Sequence, residues 1–178
     1  EPAAKVPYVA TQILNVSDLE KGETRKLELF FMTILESYPQ FQSCYVANEK
    51  GDFVMARRNP QGFICKSISK KNRWERNTQF DHNKVLVSET KKKPTYDARQ
   101  RPWYKGAFSI NGIFWTNVYT FFTEKAPGVT ASYGFSKDRD KVFGIDILLS
   151  DLIMFIRKQN LTYKGQMLLL DDQQNVIA

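Results

Sequence analysis

Histidine and cysteine, the side chains most used as metal ligands and nucleophiles, are scarce in this sequence. The 178 residues include one histidine, His82, and two cysteines, Cys44 and Cys65. Both cysteines lie in apolar stretches that favour strands, whereas His82 lies in a polar stretch, so a nucleophilic Cys/His pair is not expected. A zinc site needs about three or four such ligands. We therefore expect no enzymatic activity, no cofactor and no metal site.

Long apolar runs are also missing. No segment approaches the roughly 20 apolar residues of a membrane-spanning helix, and the opening EPAAKVPYVA lacks the apolar region of a signal peptide. Hydrophobic residues nevertheless make up 42% of the chain and aromatic residues 13%, which favours a folded core over disorder. The length predicts one domain, or one domain with part of another.

The two cysteines are predicted to be free thiols. The predicted strands put both of them opposite Met55, on the two flanks of one strand, which makes them roughly 9–10 Å apart. A disulfide needs Cα atoms within about 7 Å. We therefore expect both thiols to be buried as small hydrophobic groups.

Acidic residues are outnumbered by basic ones, 19 to 26, which gives a net charge of +7. The basic residues cluster in KSISKKNRWER and in KKK at 91–93, in polar stretches that are typical of loops. A solvated basic surface and a nucleic-acid interface both fit this pattern. Because no helix-turn-helix, zinc-knuckle or RNP-type motif lies near the clusters, we expect a solvated surface and no nucleic-acid partner.

Hydrophobic spacing predicts the order of helices and strands. Apolar residues at helical intervals predict an amphipathic helix over 24–38, ended near Pro39. The next segment, SCYVANEKGDFVMARR, predicts a β-hairpin, and NPQG and FICKSI predict a second turn and a third strand. Residues 69–83 are polar and are predicted to be irregular, and KVLVSE predicts a further strand.

The second half adds three predicted strands, at 113–122, 129–135 and 141–149, followed by a helix to about 159. Short strands joined by tight turns predict an antiparallel sheet with helices packed on it. The fold class is therefore α+β, with a long N-terminal helix and a PAS-like module. The final GQMLLLDDQQNVIA repeats the pattern of the first hairpin and predicts the truncated start of a second PAS-like module.

Asp146 is the most informative acidic residue. It lies in the middle of an apolar strand, where an unpaired carboxylate would be costly to bury. It therefore either faces solvent on an edge strand or meets a cation. Gly144 shares its face of the strand and leaves room there, which favours a pocket.

Arg101 is the candidate counterpart of Asp146. It directly precedes a helix that begins with Pro102, and a helix N terminus attracts anions. Its guanidinium matches the geometry of a carboxylate, and Trp103 and Tyr104 would add apolar walls with polar edges. If Arg101 and Asp146 face one pocket, the ligand has an anionic and a cationic end. Alternatively, Arg101 pairs with Asp97 and the aromatic residues belong to the core.

Three motifs in this sequence resemble the double Cache (dCache_1) family. YDARQRPWYKGAF is close to the family signature Y-D-x-R-x-R-x-W-Y-x-x-A, FWTNVYTFF resembles the next strand, and VFGIDILLSDL resembles the V-x-G-x-D-x-x-L-x-x-L element. Their order and separation also fit. The resemblance covers roughly residues 11–178.

The resemblance implies an extracytoplasmic sensor domain of a bacterial inner-membrane receptor, facing the periplasm. Residues 1–40 would form the N-terminal helical segment, 41–160 the membrane-distal PAS-like ligand-binding module, and 161–178 the first hairpin of a truncated membrane-proximal module. The implied partners are a small ligand (an amino acid, amine or carboxylate) and, through the N-terminal helix, a second copy of the chain. The full-length protein would be membrane-anchored and signal to a kinase, chemoreceptor or cyclase output domain.

The resemblance also implies a ligand site. In amino-acid-binding members, the signature Arg and Trp hold the ligand carboxylate, and the tyrosines and the later Asp hold the ammonium group. The matching positions in this chain are Tyr96, Arg101, Trp103, Tyr104, Tyr119 and Asp146.

Phe121 departs from the family pattern. A second acidic residue often follows the strand tyrosine by two positions, and Phe121 occupies that position here. One carboxylate fewer weakens ammonium recognition and favours an amino acid with an apolar side chain, or a small amine, over an acidic ligand. It is also the best support for the alternative function, a dimerisation module that binds no ligand.

Overall fold

Two helices open the structure, a computed structural model that describes residues 2–14, 19, 23–135, 140–158 and 170. Helix α1 spans Pro2–Ile13 and helix α2 spans Thr24–Ser37. The helix predicted over 24–38 is confirmed as α2, whose buried stripe includes Phe31 and Leu35. None of the helices in the described residues is long and apolar enough to cross a membrane.

The described residues contain nine strands and two further α-helices. The strands are β1 (Ser43–Asn48), β2 (Phe53–Asn59), β3 (Gly62–Ser69), β4 (Trp74–Phe80), β5 (Leu86–Lys92), β6 (Ile113–Trp115), β7 (Tyr119–Thr120), β8 (Pro127–Phe135) and β9 (Lys141–Leu148). A 3-10 turn (Ala98–Gln100) and helix α3 (Pro102–Gly106) lie between β5 and β6, and helix α4 (Leu149–Lys158) follows β9.

All nine strands belong to one antiparallel sheet. The strand order is β5-β4-β3-β2-β1-β9-β8-β6, and β7 also pairs with β8. The first and last strands of the described residues, β1 and β9, are neighbours in the middle of the sheet. The predicted α+β fold of PAS-like type, with helices against an antiparallel sheet, is confirmed.

The sheet separates two hydrophobic clusters. On one face, α1 and α2 cover residues such as Cys44, Val46, Phe143 and Ile145. On the other face, the segment from the 3-10 turn to α3 covers a smaller cluster that includes Tyr45 and Trp103. The strands alternate between these clusters because successive side chains point to opposite faces.

The prediction for the cysteines is confirmed except for its register. Both thiols are free and buried. Cys44 and Cys65 both lie opposite Ala56 of β2, rather than opposite Met55. The one-residue difference leaves them two strand spacings apart, so the separation argument still holds.

The prediction that residues 69–83 are irregular is wrong, because they contain β4. The buried positions of this strand are largely polar, because Thr78 shares one face of the strand with Phe80 and Glu75 is buried on the other face. An apolar alternation is therefore absent from its sequence, although the strand pairs with β3 along its whole length.

The single strand predicted over 113–122 is also wrong. The ladder with β8 is interrupted at Thr116, whose side-chain oxygen accepts from the backbone N–H of Thr130 at 2.9 Å. A side chain has replaced a backbone acceptor at this point, so the segment divides into β6 and β7. The hairpin predicted at the C terminus lies outside the described residues, apart from Leu170.

A buried ion pair fastens β4 to helix α2. Glu28 of α2 is 1% exposed, and its Oε1 accepts from Arg76 of β4 at 2.9 Å and from the Ser67 hydroxyl of β3 at 2.6 Å. The mostly polar strand β4 and its neighbour β3 are thus held to the helix by hydrogen bonds to one carboxylate. Such bonds are stronger than those between neutral groups.

We expect Arg76→Met to lower the free energy of unfolding by about 2–4 kcal/mol, because the buried Glu28 carboxylate then keeps only its longer contact, 3.8 Å, with the exposed Arg25. Chemical denaturation would measure this. The double variant Glu28→Leu/Arg76→Met should recover most of the loss. The control Lys91→Met removes the exposed cation opposite Arg76 on β5 and should change stability by less than about 0.5 kcal/mol. Equal losses in Arg76→Met and in the double variant would contradict this account.

Candidate ligand-binding site

A small cavity lies between the middle of the sheet and the segment that carries α3. Its volume of about 20 Å³ is room for about one water molecule. Six of the seven site residues predicted from the sequence line it, namely Tyr96, Arg101, Trp103, Tyr119, Phe121 and Asp146.

Tyr104 is the predicted site residue that does not line the cavity. Its ring packs edge-on against Trp103 with centroids 5.7 Å apart, and its hydroxyl donates to the backbone oxygen of Asp140 at 3.4 Å. Tyr104 therefore lies behind Trp103 and supports that ring from the side away from the cavity.

Asp146 is buried at the centre of the sheet. It is 6% exposed on β9, between β1 and β8. Its Oδ1 accepts from the Tyr45 hydroxyl at 2.5 Å and the Thr130 hydroxyl at 2.6 Å, and its Oδ2 accepts from Ser43 at 2.7 Å. The alternative of a solvent-facing Asp146 on an edge strand is therefore wrong.

The hydroxyl groups around Asp146 act as hydrogen-bond donors. Burial raises the pKa of Tyr45 and Tyr119, and the nearby Asp146 charge raises both further, so both phenols stay protonated. Tyr119 lies 2.7 Å from the Thr130 hydroxyl, which extends the network from the sheet to β7.

The carboxyl of Asp146 is itself strongly affected by its position. Burial raises its pKa to about 6, against the hydrogen bonds from Thr130, Tyr45 and Ser43, which lower it. The carboxylate is therefore ionised at neutral pH. Because its burial makes that charge unfavourable, a cation placed beside it would be bound favourably.

Arg101 lies on the opposite side of the cavity from the sheet. Its Nη2 donates to the backbone oxygen of Thr120 at 3.1 Å, and its guanidinium lies 5.4 Å from the centroid of the Tyr119 ring. The alternative partner, Asp97, instead binds Arg99 at 2.7 Å and 2.9 Å, so the pairing of Arg101 with Asp97 is wrong. No carboxylate of the described residues lies within 4.0 Å of the Arg101 guanidinium.

Aromatic rings form the wall between Arg101 and the sheet. The Trp103 ring lies 4.6 Å from that of Tyr45, and the Tyr96 ring lies 5.0 Å from that of Phe53. These residues belong both to the second hydrophobic cluster and to the cavity wall. The signature stretch thus brings an arginine and two aromatic rings against the face that holds Asp146.

Sequence reasoning missed several lining residues. Tyr45 and Lys66 face the cavity from β1 and β3, and Glu124 faces it from the turn between β7 and β8. Alternation along SCYVAN could have put Tyr45 on the face opposite Cys44. Lys66 lies in the predicted strand FICKSI but was counted with the basic cluster KSISKKNRWER, and Glu124 carried no signal of its own.

A family model matches just over half of the chain. Residues 61–153 match the model of the methyl-accepting chemotaxis protein-like, first PDC sensor domain, which is just over half of the 178 residues. The chain belongs to this family. The matched range contains the signature stretch and Asp146, and so both sides of the sensor-domain cavity.

Among curated proteins, the chain is similar to the methyl-accepting chemotaxis protein McpC of Bacillus subtilis. The two are 37% identical over 87 residues, which is 47% of this chain and 13% of McpC. The chain therefore spans a small part of that receptor.

Solved structures show the same sensor-domain fold. The ligand-binding domain of the Campylobacter jejuni chemoreceptor Tlp3, in complex with L-valine, has a TM-score of 0.66 at 17% identity, over 98% of this chain and 60% of that one. The ligand-binding domain of the Pseudomonas fluorescens chemoreceptor CtaA, in complex with L-isoleucine, has a TM-score of 0.52 at 20% identity, over 81% of this chain and 46% of that one. The chain thus covers less than two thirds of both solved domains.

The raised pKa of Asp146 predicts a pH dependence of stability in the absence of ligand. A carboxyl with a pKa of about 6 in the fold and about 3.9 when unfolded favours the folded state when protonated. This contribution is complete below about pH 4 and is lost as the pH rises through 6. Relative to Asp146→Asn, the wild-type chain should lose about 1 kcal/mol of stability between pH 5 and pH 8, measured by urea denaturation. If the difference in stability between the wild-type chain and Asp146→Asn does not change with pH, the pKa of Asp146 is not raised in the fold.

Proposed function

We propose that the chain is the extracytoplasmic ligand-binding module of a membrane-anchored receptor and that its ligand is an α-amino acid or a related amine or carboxylate. The family supports a sensor role, and the ligands bound in the similar solved domains, L-valine and L-isoleucine, support an amino acid. Binding would be reported to an output domain beyond this segment. No catalytic role is part of the proposal.

The observation that carries the proposal is the pair of opposite charges on the cavity wall. Arg101 brings a guanidinium that no described carboxylate neutralises, and Asp146 brings a buried carboxylate to the same cavity. Arg101 would hold the ligand carboxylate and Asp146 its ammonium group. The Tyr45 hydroxyl would hold Asp146 in position directly, and the Tyr119 hydroxyl would do so through Thr130.

The size of the cavity requires a conformational step. An amino acid is larger than one water molecule, so the wall has to move outward when the ligand enters. Phe122 is 39% exposed and contacts Tyr96 and Arg101 from the turn between β7 and β8. We infer that this ring turns away as the ligand binds.

The second candidate function is a dimerisation module without a ligand. The small cavity supports it, as do the exposed apolar side chains of α1, among them Val9 at 54% and Ile13 at 64%. A second copy of the chain could cover that stripe. Calorimetric titration with amino acids and amines would separate the two functions, because only the first predicts saturable heat.

Arg101→Ala should weaken amino-acid binding by about 2–5 kcal/mol, since the ligand carboxylate loses its charge partner. Arg101→Lys should fail to restore most of this, because an ammonium cannot form the two parallel hydrogen bonds of a guanidinium. The neighbouring Arg99→Ala is the control, as Arg99 pairs with Asp97 and does not line the cavity. Calorimetry that finds the same affinity for Arg101→Ala as for the wild type would remove Arg101 from the site.

Asp146→Asn should weaken the binding of amino acids and leave matched acids without an amino group nearly unaffected, because its charge meets only the ammonium group. The measurement is calorimetry with an amino acid and its deaminated counterpart, on the wild-type chain and the variant. Equal weakening of both ligands would mean that Asp146 acts through the structure of the pocket.

A further inference from the structure

Lys66 lies at the opposite end of the cavity from Asp146. It is on β3, and β2 and β1 separate it from Asp146 on β9. At about 4.8 Å per strand, the two backbones are about 14 Å apart across the sheet. Both side chains line the cavity, so a ligand bound to Asp146 by its ammonium group extends its other end towards Lys66.

The Lys66 ammonium is buried without an anion. The residue is 8% exposed, and its Nζ donates to the Thr123 hydroxyl at 3.2 Å. No carboxylate of the residues in the described ranges lies within 4.0 Å of it. Glu75, one of the nearest acids, is already bound to Lys92 at 3.4 Å. An ammonium group has three N–H donors, so Lys66 can bind more acceptors than the fold provides.

The Lys66 ammonium also lies 5.6 Å from the centroid of the Tyr96 ring and 5.8 Å from that of the Phe122 ring, and a second charged residue is near it. Glu124 lines the same end of the cavity, and its Oε1 has no hydrogen-bond partner and lies 3.8 Å from Arg57 Nε. Glu124 and Lys66 do not form an ion pair within 4.0 Å. The space between them is therefore lined by groups that bind polar atoms.

Phe121 does not make this end of the cavity apolar. Its ring packs 5.2 Å from the Tyr119 ring and against Gly128, where an added Cβ would lie 2.4 Å from it. Both neighbours are close to Thr130 and Asp146. The apolar wall that Phe121 provides thus lies beside the ammonium end of the ligand.

We propose that Lys66 determines ligand specificity by donating a hydrogen bond to an oxygen atom on the ligand's side chain. The preferred ligand is then an amino acid with a carboxamide or carboxylate side chain. A pocket that contains an unpaired buried donor discriminates strongly against analogues that lack the acceptor. This inference rests on the proposed function, because Arg101 and Asp146 have to hold the other end of the ligand.

Calorimetry with L-glutamine, L-glutamate and L-norvaline tests the inference. Norvaline is glutamine with a methyl group in place of the carboxamide. The wild-type chain should bind glutamine or glutamate at least about tenfold more tightly than norvaline. The comparison of glutamine with glutamate identifies whether the oxygen belongs to an amide or a carboxylate.

Lys66→Met should remove this preference while keeping the affinity for norvaline within about twofold or increasing it. The exposed Lys71→Met carries the same change of charge and should keep the wild-type preference. Because Lys66→Met removes an unpaired buried charge, its melting temperature should equal or exceed that of the wild type.

Two results would overturn the inference and leave the proposed function standing. One is a wild-type chain that binds norvaline as tightly as glutamine and glutamate, and the other is an unchanged preference in Lys66→Met. If the wild-type chain binds none of the three ligands but binds another amino acid, amine or carboxylate, the role of Lys66 fails and the proposed function stands; if it binds no ligand of these classes, both fail.

Discussion

The burial of the Asp146 carboxylate is the constraint on which the centre of this domain depends. A charge there has to be hydrogen-bonded from several sides, and the donors come from both neighbouring strands, Ser43 and Tyr45 on β1 and Thr130 on β8. These donors reach Asp146 only in the observed register, in which Ser43 and Thr130 lie directly opposite it. A one-residue slip of either strand would turn its hydroxyls to the other face.

The same constraint explains the glycine beside Asp146. The Tyr45 ring crosses over β9 to bring its hydroxyl to the carboxylate, and a Cβ at Gly144 would lie 2.2 Å from that ring. Trp103 then packs on the side of the Tyr45 ring that faces away from the sheet, with the ring centroids 4.6 Å apart. The signature stretch is therefore positioned by a side chain that is itself positioned by Asp146. A rigid floor of this kind is what a selective site needs, since its polar groups have to be in place before the ligand arrives.

The sequence predicted the parts of the site that are local and missed the parts that arise from strand pairing. Arg101, Trp103 and Tyr96 lie within one short motif, and Asp146 stood out as a charge in an apolar strand. Lys66 stood out in no such way, because its burial depends on a turn 57 residues further along the chain, which supplies Thr123.

The elements of the fold also separate into those that local periodicity predicts and those that depend on contacts between distant segments. Helix α2 and the strands with apolar alternation were predictable from their periodicity, whereas β4 was not, because its stabilising contact is the ion pair between Arg76 and Glu28. The interruption at Thr116 was equally invisible, since it depends on a hydrogen bond to another strand. Pairing between distant segments is where single-sequence reasoning has no signal to use.

Phe121 can be understood from the electrostatics of Asp146. A carboxylate at that position would lie in the same poorly solvated space, where two like charges cannot both ionise easily. The pKa of Asp146 is already raised to about 6 by burial, so a second acid would leave one of the pair protonated at neutral pH without ligand. With Phe121 at this position that second acid is absent, so Asp146 stays ionised, and its three hydroxyl donors keep it aimed at the cavity. The domain can therefore retain an ammonium site with one charge, and Arg101 and Lys66 remain to set what else the ligand carries.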